Sequence, residues 1–347
     1  MILKIGKQKF NLKDKAFVIA EIGHNHKGSI KIAKELIKAA KEAGASAVKF
    51  QKRNNKELYT KAMFDQAYDH PNSYGKTYGL HREALEFNKK QYKELKKYAQ
   101  KLKIIFFATP FDFSSVDFLE DVGVPCYKMA SAELANIPLQ KYIAKTKKML
   151  FLSTGGGNYE DIIRAYKNIY KYNKNLAILH CTASYPADVN DMNLNIIHKL
   201  KKSFPKIIIG LSDHENGIDA APLAYMMGAR IFEKHFTLNR AWKGTDQSFS
   251  LEPQGLKKLI RNLSRIPFIL GSDKKRFLNS EKEPIRKMAK SIVALKDFNK
   301  GQTIRYEDLA FKAPGGGLKP YEFKLILNKK LKKDIKKDEQ FHFKLFK

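Results

Sequence analysis

Eight short apolar runs of strand type, each followed by a segment of helical period, constrain the fold of this chain more than any other feature. The runs are residues 16–23, 46–51, 103–110, 125–131, 148–154, 176–182, 206–213 and 230–236. Most are apolar throughout, as expected for parallel strands covered on both faces. Eight such units in roughly 250 residues predict an α/β fold, a (β/α)₈ TIM barrel. The alternative, a doubly wound open sheet, usually has fewer strands.

Polar side chains gather at the carboxyl ends of these runs, which is the end that carries the active site in barrel enzymes. They are Glu21, Lys49, Gln51, Thr109, Lys128, Ser131, Ser153, Thr182, Ser212, His214, Glu233 and His235. Any one of them could be a cap or a loop residue, but their shared position predicts an active site. His214 and His235 end neighbouring strands, where two imidazoles can hold a divalent metal. Two unrelated histidines at strand ends are the alternative.

Two other segments depart from the strand–helix repeat. Roughly forty residues separate Gln51 from the helical segment near Gln91, and loops this long inside a compact domain are usually functional. We expect a lid over the substrate, with a subunit contact as the structural alternative. After Ile266 the composition becomes polar and then strand-like. We therefore assign residues 1–270 to the barrel, 271–285 to a linker and 286–347 to a small β-rich domain.

The net charge of +31 could indicate binding to nucleic acid, to an acidic membrane surface or to anionic small molecules. The basic residues are nearly all lysines spread along helices and terminal segments, and no arginine-rich, aromatic recognition element stands out. We expect solvated lysine faces and attraction of anionic substrates, with no nucleic-acid role. The chain has neither an apolar run of membrane-spanning length nor the pattern of a secretory signal. Cys126 and Cys181 both lie in apolar runs, so we expect a cytoplasmic protein without a disulfide framework.

A set of short motifs along nearly the whole length resembles the sialic acid synthase family, whose members condense phosphoenolpyruvate with an N-acetylhexosamine. The motifs are IAEIGHNHKG, AVKFQ, ATPFD, YKMASAE, LSTGGG, HCTASYP, GLSDHENG, FEKHFTLNRAWKGTDQSFSLEP and SIVALKDFNKGQTIRYEDLAFKAPGGG. Each is short, but their order and spacing together are specific. The resemblance implies an aldolase-type barrel followed by a C-terminal antifreeze-like (SAF) domain. It also implies a homodimer in which that domain covers the active site of the partner subunit.

The resemblance assigns roles by position. His214 and His235 would ligate Mn(II) or Mg(II). Phosphoenolpyruvate would be held by Asn25, Lys49, Thr109, Lys128, Ser131, Ser153 and Ser212, with Glu21 nearby, and the sugar would face Gln51, Glu133, Tyr185 and Asp246. Glu133, or a water held by the metal, would handle protons. The lysines would bind anionic groups, and the alternative for either lysine is an aldolase-type imine.

Two departures from the family pattern concern the choice of substrate. Where members that use N-acetylmannosamine commonly have Lys-Arg-Pro-Gly, this chain has Lys312-Ala313-Pro314-Gly315. The arginine contact to the N-acetyl group is therefore missing, or replaced by Lys312 or Lys319, although a lysine cannot reproduce the planar fork. Some relatives also carry asparagine where Ala183 stands.

We expect a metal-dependent N-acetylneuraminate synthase, a transferase that forms a carbon–carbon bond. The alternatives are the same reaction on a legionaminic or pseudaminic acid precursor, or on N-acetylmannosamine 6-phosphate. Two readings from other classes are a basic nucleic-acid-binding protein and a non-catalytic ice- or ligand-binding protein. The first does not explain the aligned polar strand ends, and the second would rest on the C-terminal domain alone.

Overall fold

The computed structural model describes all 347 residues, which divide into two compact units, Met1–Leu270 and Gly271–Lys347. The first unit contains a closed barrel of eight strands, in which every neighbouring pair is parallel. These strands are β3 (Phe17–Gly23), β4 (Ala47–Lys52), β5 (Ile105–Pro110), β6 (Cys126–Met129), β7 (Met149–Ser153), β8 (Leu176–Cys181), β9 (Ile208–Asp213) and β10 (Ile231–His235). The predicted (β/α)₈ barrel is confirmed, because β10 pairs with β3 and closes the sheet.

Helices lie between and after the barrel strands along the chain, and most of them cover the outer face of the sheet. In the first unit they are α1 (Ile30–Ala43), α2 (Asn55–Leu58), α3 (Lys61–Asp65), α4 (Tyr78–Glu83), α5 (Lys89–Lys101), α6 (Phe113–Val122), α7 (Ile137–Lys145), α8 (Tyr159–Tyr172), α9 (Ile196–Ser203), α10 (Ala220–Met226) and α11 (Pro253–Leu270). Helix α1 shows why the sequence forms them. The Ser29 side chain caps its first turn, and Gly44 ends it in the left-handed conformation that favours glycine. Between them, Ala33, Leu36 and Ala40 are buried at helical spacing.

The closed end of the barrel is filled by apolar side chains. Phe107 and Phe151 meet inside it with ring centroids 5.5 Å apart, and Phe17 lies 6.3 Å from Phe151. The same buried cluster includes Leu3 and Ile5, from an N-terminal hairpin that the sequence analysis did not predict. Its strands are β1 (Ile2–Ile5) and β2 (Gln8–Asn11). This packed floor leaves only the carboxyl ends of the strands open for a site.

The long connection between β4 and α5 folds into the three short helices α2, α3 and α4. It contacts the segment that follows β10, because the Tyr74 hydroxyl donates to the Lys243 carbonyl oxygen at 2.6 Å. In addition, the Gly244 amide donates to Asn72 Oδ1 at 3.1 Å. The segment that was predicted to form a lid is thus an ordered substructure, and hydrogen bonds join it to the loop that follows β10.

The second unit has its own apolar core, which includes Ile292, Ile326 and Phe341. Its regular strands are β11 (Ser291–Ala294) and β12 (Leu309–Lys312), which pair antiparallel. The segment predicted as a linker is not simply extended, because it contains a 3₁₀ turn at Asn279–Glu281 and the start of α12 (Lys282–Met288). Across both units, no helix combines the length and the apolarity that crossing a bilayer would require.

Candidate active site

A cavity of about 630 Å³ lies at the carboxyl ends of the barrel strands. Its size falls within the range of roughly 300–1,000 Å³ that is usual for small-molecule sites. The structure brings to it most of the residues that the sequence predicted, namely Glu21, Lys49, Gln51, Thr109, Lys128, Ser131, Ser153, Tyr185, Ser212, His214, His235 and Asp246. The predicted clustering of polar strand ends is therefore what the fold produces.

Strand register explains this convergence. Side chains two residues apart on a strand share a face, so Lys49 and Gln51 on β4 both point into the cavity. In the same way, Glu233 and His235 on β10 both line it. Glu21 stands opposite both Lys49 and His235 in the paired strands. Three adjacent strands thus supply neighbouring charged and imidazole side chains.

Two lysines and two glutamates form the lysine cluster in the barrel interior, defined as Lys49, Lys128, Glu21 and Glu233. Lys49 Nζ lies 2.8 Å from Glu21 Oε2 and 3.6 Å from Glu233 Oε1, and it donates to Thr109 Oγ1 at 2.9 Å. Lys128 Nζ lies 3.3 Å from Glu233 Oε1. All four charged side chains are buried. Buried charges require such pairing because desolvation is otherwise costly.

The two carboxyl groups of the lysine cluster, Glu21 and Glu233, have different pKa values. Burial opposes ionisation of Glu233, but Lys128 and Lys49 outweigh it and lower its pKa to about 2. For Glu21, burial dominates over the attraction of Lys49 and raises the pKa to about 7. Burial also lowers the pKa of Lys128, while the two carboxylates raise the pKa of Lys49 despite its burial. Glu233 is therefore a fixed anion, and Glu21 can exchange a proton near neutral pH.

Hydroxyl groups and a glycine-rich turn border the lysine cluster. The Ser153 hydroxyl is buried without a hydrogen-bond partner, and Ser131 Oγ accepts from the Gly155 amide at 3.0 Å. A Cβ at Gly155 would lie 2.8 Å from both Ser131 Oγ and the Ala183 Cβ, so this close approach requires glycine. An unpaired hydroxyl and the two ammonium groups beside it can donate hydrogen bonds to an anionic substrate that has several oxygens.

His214 and His235 lie side by side, with ring centroids 5.3 Å apart. Nδ1 of His214 lies 2.8 Å from the Thr182 carbonyl oxygen, so it carries the proton and leaves Nε2 with a free lone pair. Nδ1 of His235 is buried without a hydrogen-bond partner, 3.6 Å from Asp246 Oδ2. The exposed ring of Tyr185 lies 4.2 Å from the His214 ring, between centroids.

These features fit a divalent metal. Burial lowers the pKa of His214 to about 4 and that of His235 to about 3, so both imidazoles are neutral at pH 7, the form that binds metals. The unpaired ring nitrogen of His235 is an orphaned buried atom that a metal would satisfy. Imidazole nitrogens beside carboxylate oxygens suit Mn(II) better than Mg(II), which prefers oxygen ligands.

Three residues to which the resemblance gave a role do not line the cavity, and neither does Thr182. Asn25 is buried, and its amide donates to the Phe236 carbonyl oxygen and to Ser250 Oγ, at 2.9 and 2.8 Å. It therefore ties two connections together, and the structure gives no support to a contact with phosphoenolpyruvate. Glu133 accepts a hydrogen bond from Asn136 Nδ2 at 2.6 Å, and its proton role stays a prediction. Lys312 belongs to the second unit, where its ammonium lies 2.6 Å from Asp338, and its contact with the sugar likewise stays a prediction.

Several charged or ionisable residues of the cavity were given no role from the sequence, among them His24, Arg53, Arg82 and Glu233. Glu233 and Arg53 carried a usable signal, because each lies two residues from an assigned residue, His235 or Gln51. Alternation along a strand places such residues on the same face. Arg82 carried none, since it reaches the cavity only through the folding of the lid.

Two models of known protein families match the chain. The model of the NeuB family matches residues 36–275, and the model of the SAF domain matches residues 289–347. The chain belongs to the NeuB family. The resemblance proposed from the motifs is therefore confirmed, as is the C-terminal SAF domain.

Several named relatives match almost end to end. An N-acetylneuraminate-9-phosphate synthase of Mus musculus is 37% identical, over 94% of this chain and 91% of its own. An N,N'-diacetyllegionaminic acid synthase of Campylobacter jejuni is also 37% identical, over 94% of this chain and 98% of its own. Among solved structures, an N-acetylneuraminic acid synthetase of Leptospira borgpetersenii in complex with citrate is 35% identical, with a TM-score of 0.69. That match covers 82% of this chain and 95% of the other. This NeuB-family chain is thus an enzyme of the sialic acid synthase type.

Proposed function

We propose that this NeuB-family enzyme condenses phosphoenolpyruvate with an acceptor of the N-acetylmannosamine type, giving a nonulosonic acid and phosphate, in a metal-dependent reaction. The observation that carries the proposal is the arrangement of one cavity. The two buried lysines and the unpaired Ser153 hydroxyl lie on one side, and the two neutral histidines lie beside them. The first group suits a small, multiply anionic substrate, and the second suits a metal that binds a carbonyl oxygen.

The lysine cluster accounts for binding of phosphoenolpyruvate. Lys49 and Lys128 are ammonium groups held in fixed positions by Glu21, Glu233 and Thr109. Because they are buried, their attraction for phosphate and carboxylate oxygens is screened less than it would be in water. The hydroxyls of Ser153 and Ser212 offer further donors. Held by these groups, phosphoenolpyruvate would direct its enol carbon at the acceptor.

The acceptor would lie beside His214, His235 and Asp246. His214 and His235 would hold the metal, which would supply Lewis-acid chemistry to the acceptor aldehyde. Carbon 3 of phosphoenolpyruvate attacks the aldehyde carbon, so the carbon–carbon bond forms as the π bond of the aldehyde breaks. The former aldehyde oxygen takes a proton from water and becomes a hydroxyl, while carbon 2 becomes oxocarbenium-like. Water adds to carbon 2, and its proton passes to the Glu21 carboxylate, whose pKa of about 7 suits it as a base. The bond between carbon 2 and the phosphate oxygen then breaks, and phosphate leaves with the electron pair of that bond. The new hydroxyl at carbon 2 loses its proton to water as it becomes the keto group.

Steady-state measurement of phosphate release tests the proposed reaction. With Mn(II), phosphate should appear only when phosphoenolpyruvate and an acceptor are both present, since the condensation precedes C–O cleavage. The acceptors to compare are N-acetylmannosamine, its 6-phosphate, and the diacetamido hexoses that would give legionaminic or pseudaminic acid. Absence of phosphate release with all of them would exclude the proposed function. Turnover of the diacetamido hexoses alone would exclude an acceptor of the N-acetylmannosamine type.

Removal of one histidine should remove the metal and the activity together. We expect His235→Ala to lower kcat/KM by at least about 10³-fold, because the loss of several kcal/mol of electrostatic stabilisation corresponds to that factor. Titration calorimetry with Mn(II) on the full chain should show the loss of a site that the wild type has. His198→Ala is the matched control, since His198 is exposed on α9. A His235→Ala enzyme with near-normal activity after chelation would contradict the two-histidine site.

A further inference from the structure

A second group of side chains, two arginines and a histidine, lies in the same cavity, apart from the lysine cluster. It consists of Arg53, just beyond β4, Arg82 on α4 of the lid, and His24 between them. Arg53 Nη1 lies 2.9 Å from His24 Nε2, and Arg82 Nη1 lies 3.1 Å from His24 Nδ1. We call these three residues the arginine cluster.

The arginine cluster contains more hydrogen-bond donors than acceptors. Burial, followed by the charges of Arg53 and Arg82, lowers the pKa of His24 well below its usual value, so the ring is neutral. A neutral imidazole has one acceptor nitrogen, so it can accept from only one of the two guanidinium groups. The other guanidinium nitrogen then faces an N–H. Moreover, Arg82 Nε is buried and has no hydrogen-bond partner.

Neither guanidinium is neutralised by an ion pair. The nearby carboxylates are directed elsewhere, because Glu86 lies 2.6 Å from Lys52 Nζ and Asp246 lies 3.6 Å from His235 Nδ1. Arginine remains charged even when buried. The lysine cluster, in contrast, has one carboxylate for each ammonium group. The arginine cluster thus carries positive charge inside a cavity without an ion pair to either guanidinium, although Arg82 Nη2 donates to the Tyr78 hydroxyl at 2.8 Å.

Gln51 separates the two clusters. Its Nε2 donates to Glu21 Oε1 at 2.7 Å, and its Oε1 accepts from Arg53 Nη2 at 2.7 Å. The cavity therefore has two distinct cationic ends joined by a neutral amide. The position of Arg53 is fixed further by the Phe111 ring, whose centroid lies 3.8 Å from its guanidinium carbon. One anionic substrate at the lysine cluster would leave this second end unsatisfied.

We propose that Arg53 and Arg82 bind a phosphate monoester carried by the acceptor sugar, so that the preferred acceptor is an N-acetylhexosamine 6-phosphate. This inference rests on the proposed function, since it concerns the acceptor in that reaction. Guanidinium groups offer paired donors that match phosphate oxygens, and the free Nε–H of Arg82 adds another. A phosphate would also supply acceptor oxygens for the guanidinium group from which a neutral His24 cannot accept. Because Arg82 belongs to the lid, the same contact would hold the lid against the substrate.

The ratio of kcat/KM for N-acetylmannosamine 6-phosphate to that for N-acetylmannosamine tests the proposal in the Mn(II)-loaded, full-length enzyme. Arg82→Gln should lower this ratio by about 10- to 100-fold, the usual effect of losing a hydrogen bond to a charged group. Arg82→Lys keeps the charge and should recover part of the ratio. Arg265→Gln removes one positive charge at an exposed position of α11 and should leave the ratio unchanged.

The remaining outcomes are distinguishable. If Arg82→Gln lowered kcat/KM equally for both acceptors, the arginine would only support the lid, and the phosphate subsite would be wrong. If instead Arg82→Gln raised KM for phosphoenolpyruvate by a larger factor than KM for the sugar phosphate, the arginine cluster would bind phosphoenolpyruvate and not the acceptor. If the wild type turned over no acceptor, the proposed function would fail. The subsite would then be judged by calorimetry without phosphoenolpyruvate, in which weaker binding of the sugar phosphate to Arg82→Gln supports it and equal binding refutes it.

Discussion

Replacing Lys128 by methionine is expected to lower kcat/KM for phosphoenolpyruvate by about 10²- to 10⁴-fold, mainly through a higher KM. The side chain is buried, and its ammonium is one of two that face the proposed phosphate and carboxylate site. Methionine has a similar length and no charge. The substitution also leaves Glu233 with a more distant cation, Lys49 at 3.6 Å, so the local field becomes more negative and repels the substrate.

Loss of activity could also follow from misfolding, because an unpaired buried carboxylate is destabilising. Thermal unfolding of Lys128→Met should therefore be compared with that of the double variant Lys128→Met/Glu233→Gln, in which both charges are removed. We expect the double variant to recover stability but not affinity for phosphoenolpyruvate. Recovery of affinity together with stability would show that Lys128 only supports the fold. Lys148→Met, at a partly exposed lysine paired with Glu120, is the matched control.

Lys128 also permits a test of the aldolase-type imine. Burial lowers its pKa, which is the property of lysines that form Schiff bases. In the proposed reaction, however, Lys128 remains an ammonium that contacts substrate oxygens. Borohydride added during turnover should then leave the mass of the wild-type chain unchanged. A reduced adduct that disappears in Lys128→Met would replace the anion-binding role with covalent catalysis.

The barrel was predictable because its strands carry strong local signals. The runs around Ile19, Phe107 and Phe151 are apolar over most of their length, and each has a polar residue near its carboxyl end. The N-terminal hairpin was missed because strands of four residues, such as Ile2–Ile5, give a periodicity too short to recognise. Its role in filling the barrel floor depends on contacts with residues far away in the chain.

The site was predictable to the extent that it lies on strands. Lys49, Gln51 and Arg53 alternate along one strand and its extension, so applying the period of two beyond Gln51 would have found the arginine. In contrast, Asn25 and Arg82 lie on connections, where side-chain direction follows from the path of the backbone. Asn25 has the residue type of a ligand-binding group, but its amide nitrogen donates to the Phe236 carbonyl oxygen and to Ser250 Oγ. No local sequence pattern shows that Arg82 lines the cavity and that Asn25 does not.

Glu21→Gln is expected to change the pH dependence of the reaction as well as its rate. The pKa of Glu21 is raised from 4.5 to about 7, mainly by burial, so its carboxylate is the minor form below pH 7 and the major form above. A base that must be ionised becomes inactive as the pH falls through its pKa. For the wild type, kcat/KM should therefore decrease tenfold per pH unit below about 7, since this parameter reports the free enzyme.

In Glu21→Gln, kcat/KM at pH 8 should fall by about 10²- to 10⁴-fold, the usual contribution of general acid–base catalysis, and the limb below pH 7 should disappear. Glutamine keeps the size of the side chain and can still contact Gln51, but it cannot pair as an anion with Lys49. Glu133→Gln is the matched control, because Glu133 is buried but does not line the cavity. If the limb persisted in Glu21→Gln and vanished in Glu133→Gln, the proton acceptor would be Glu133. This would reverse the preference for Glu21 that burial, position in the cavity and the proximity of Lys49 support.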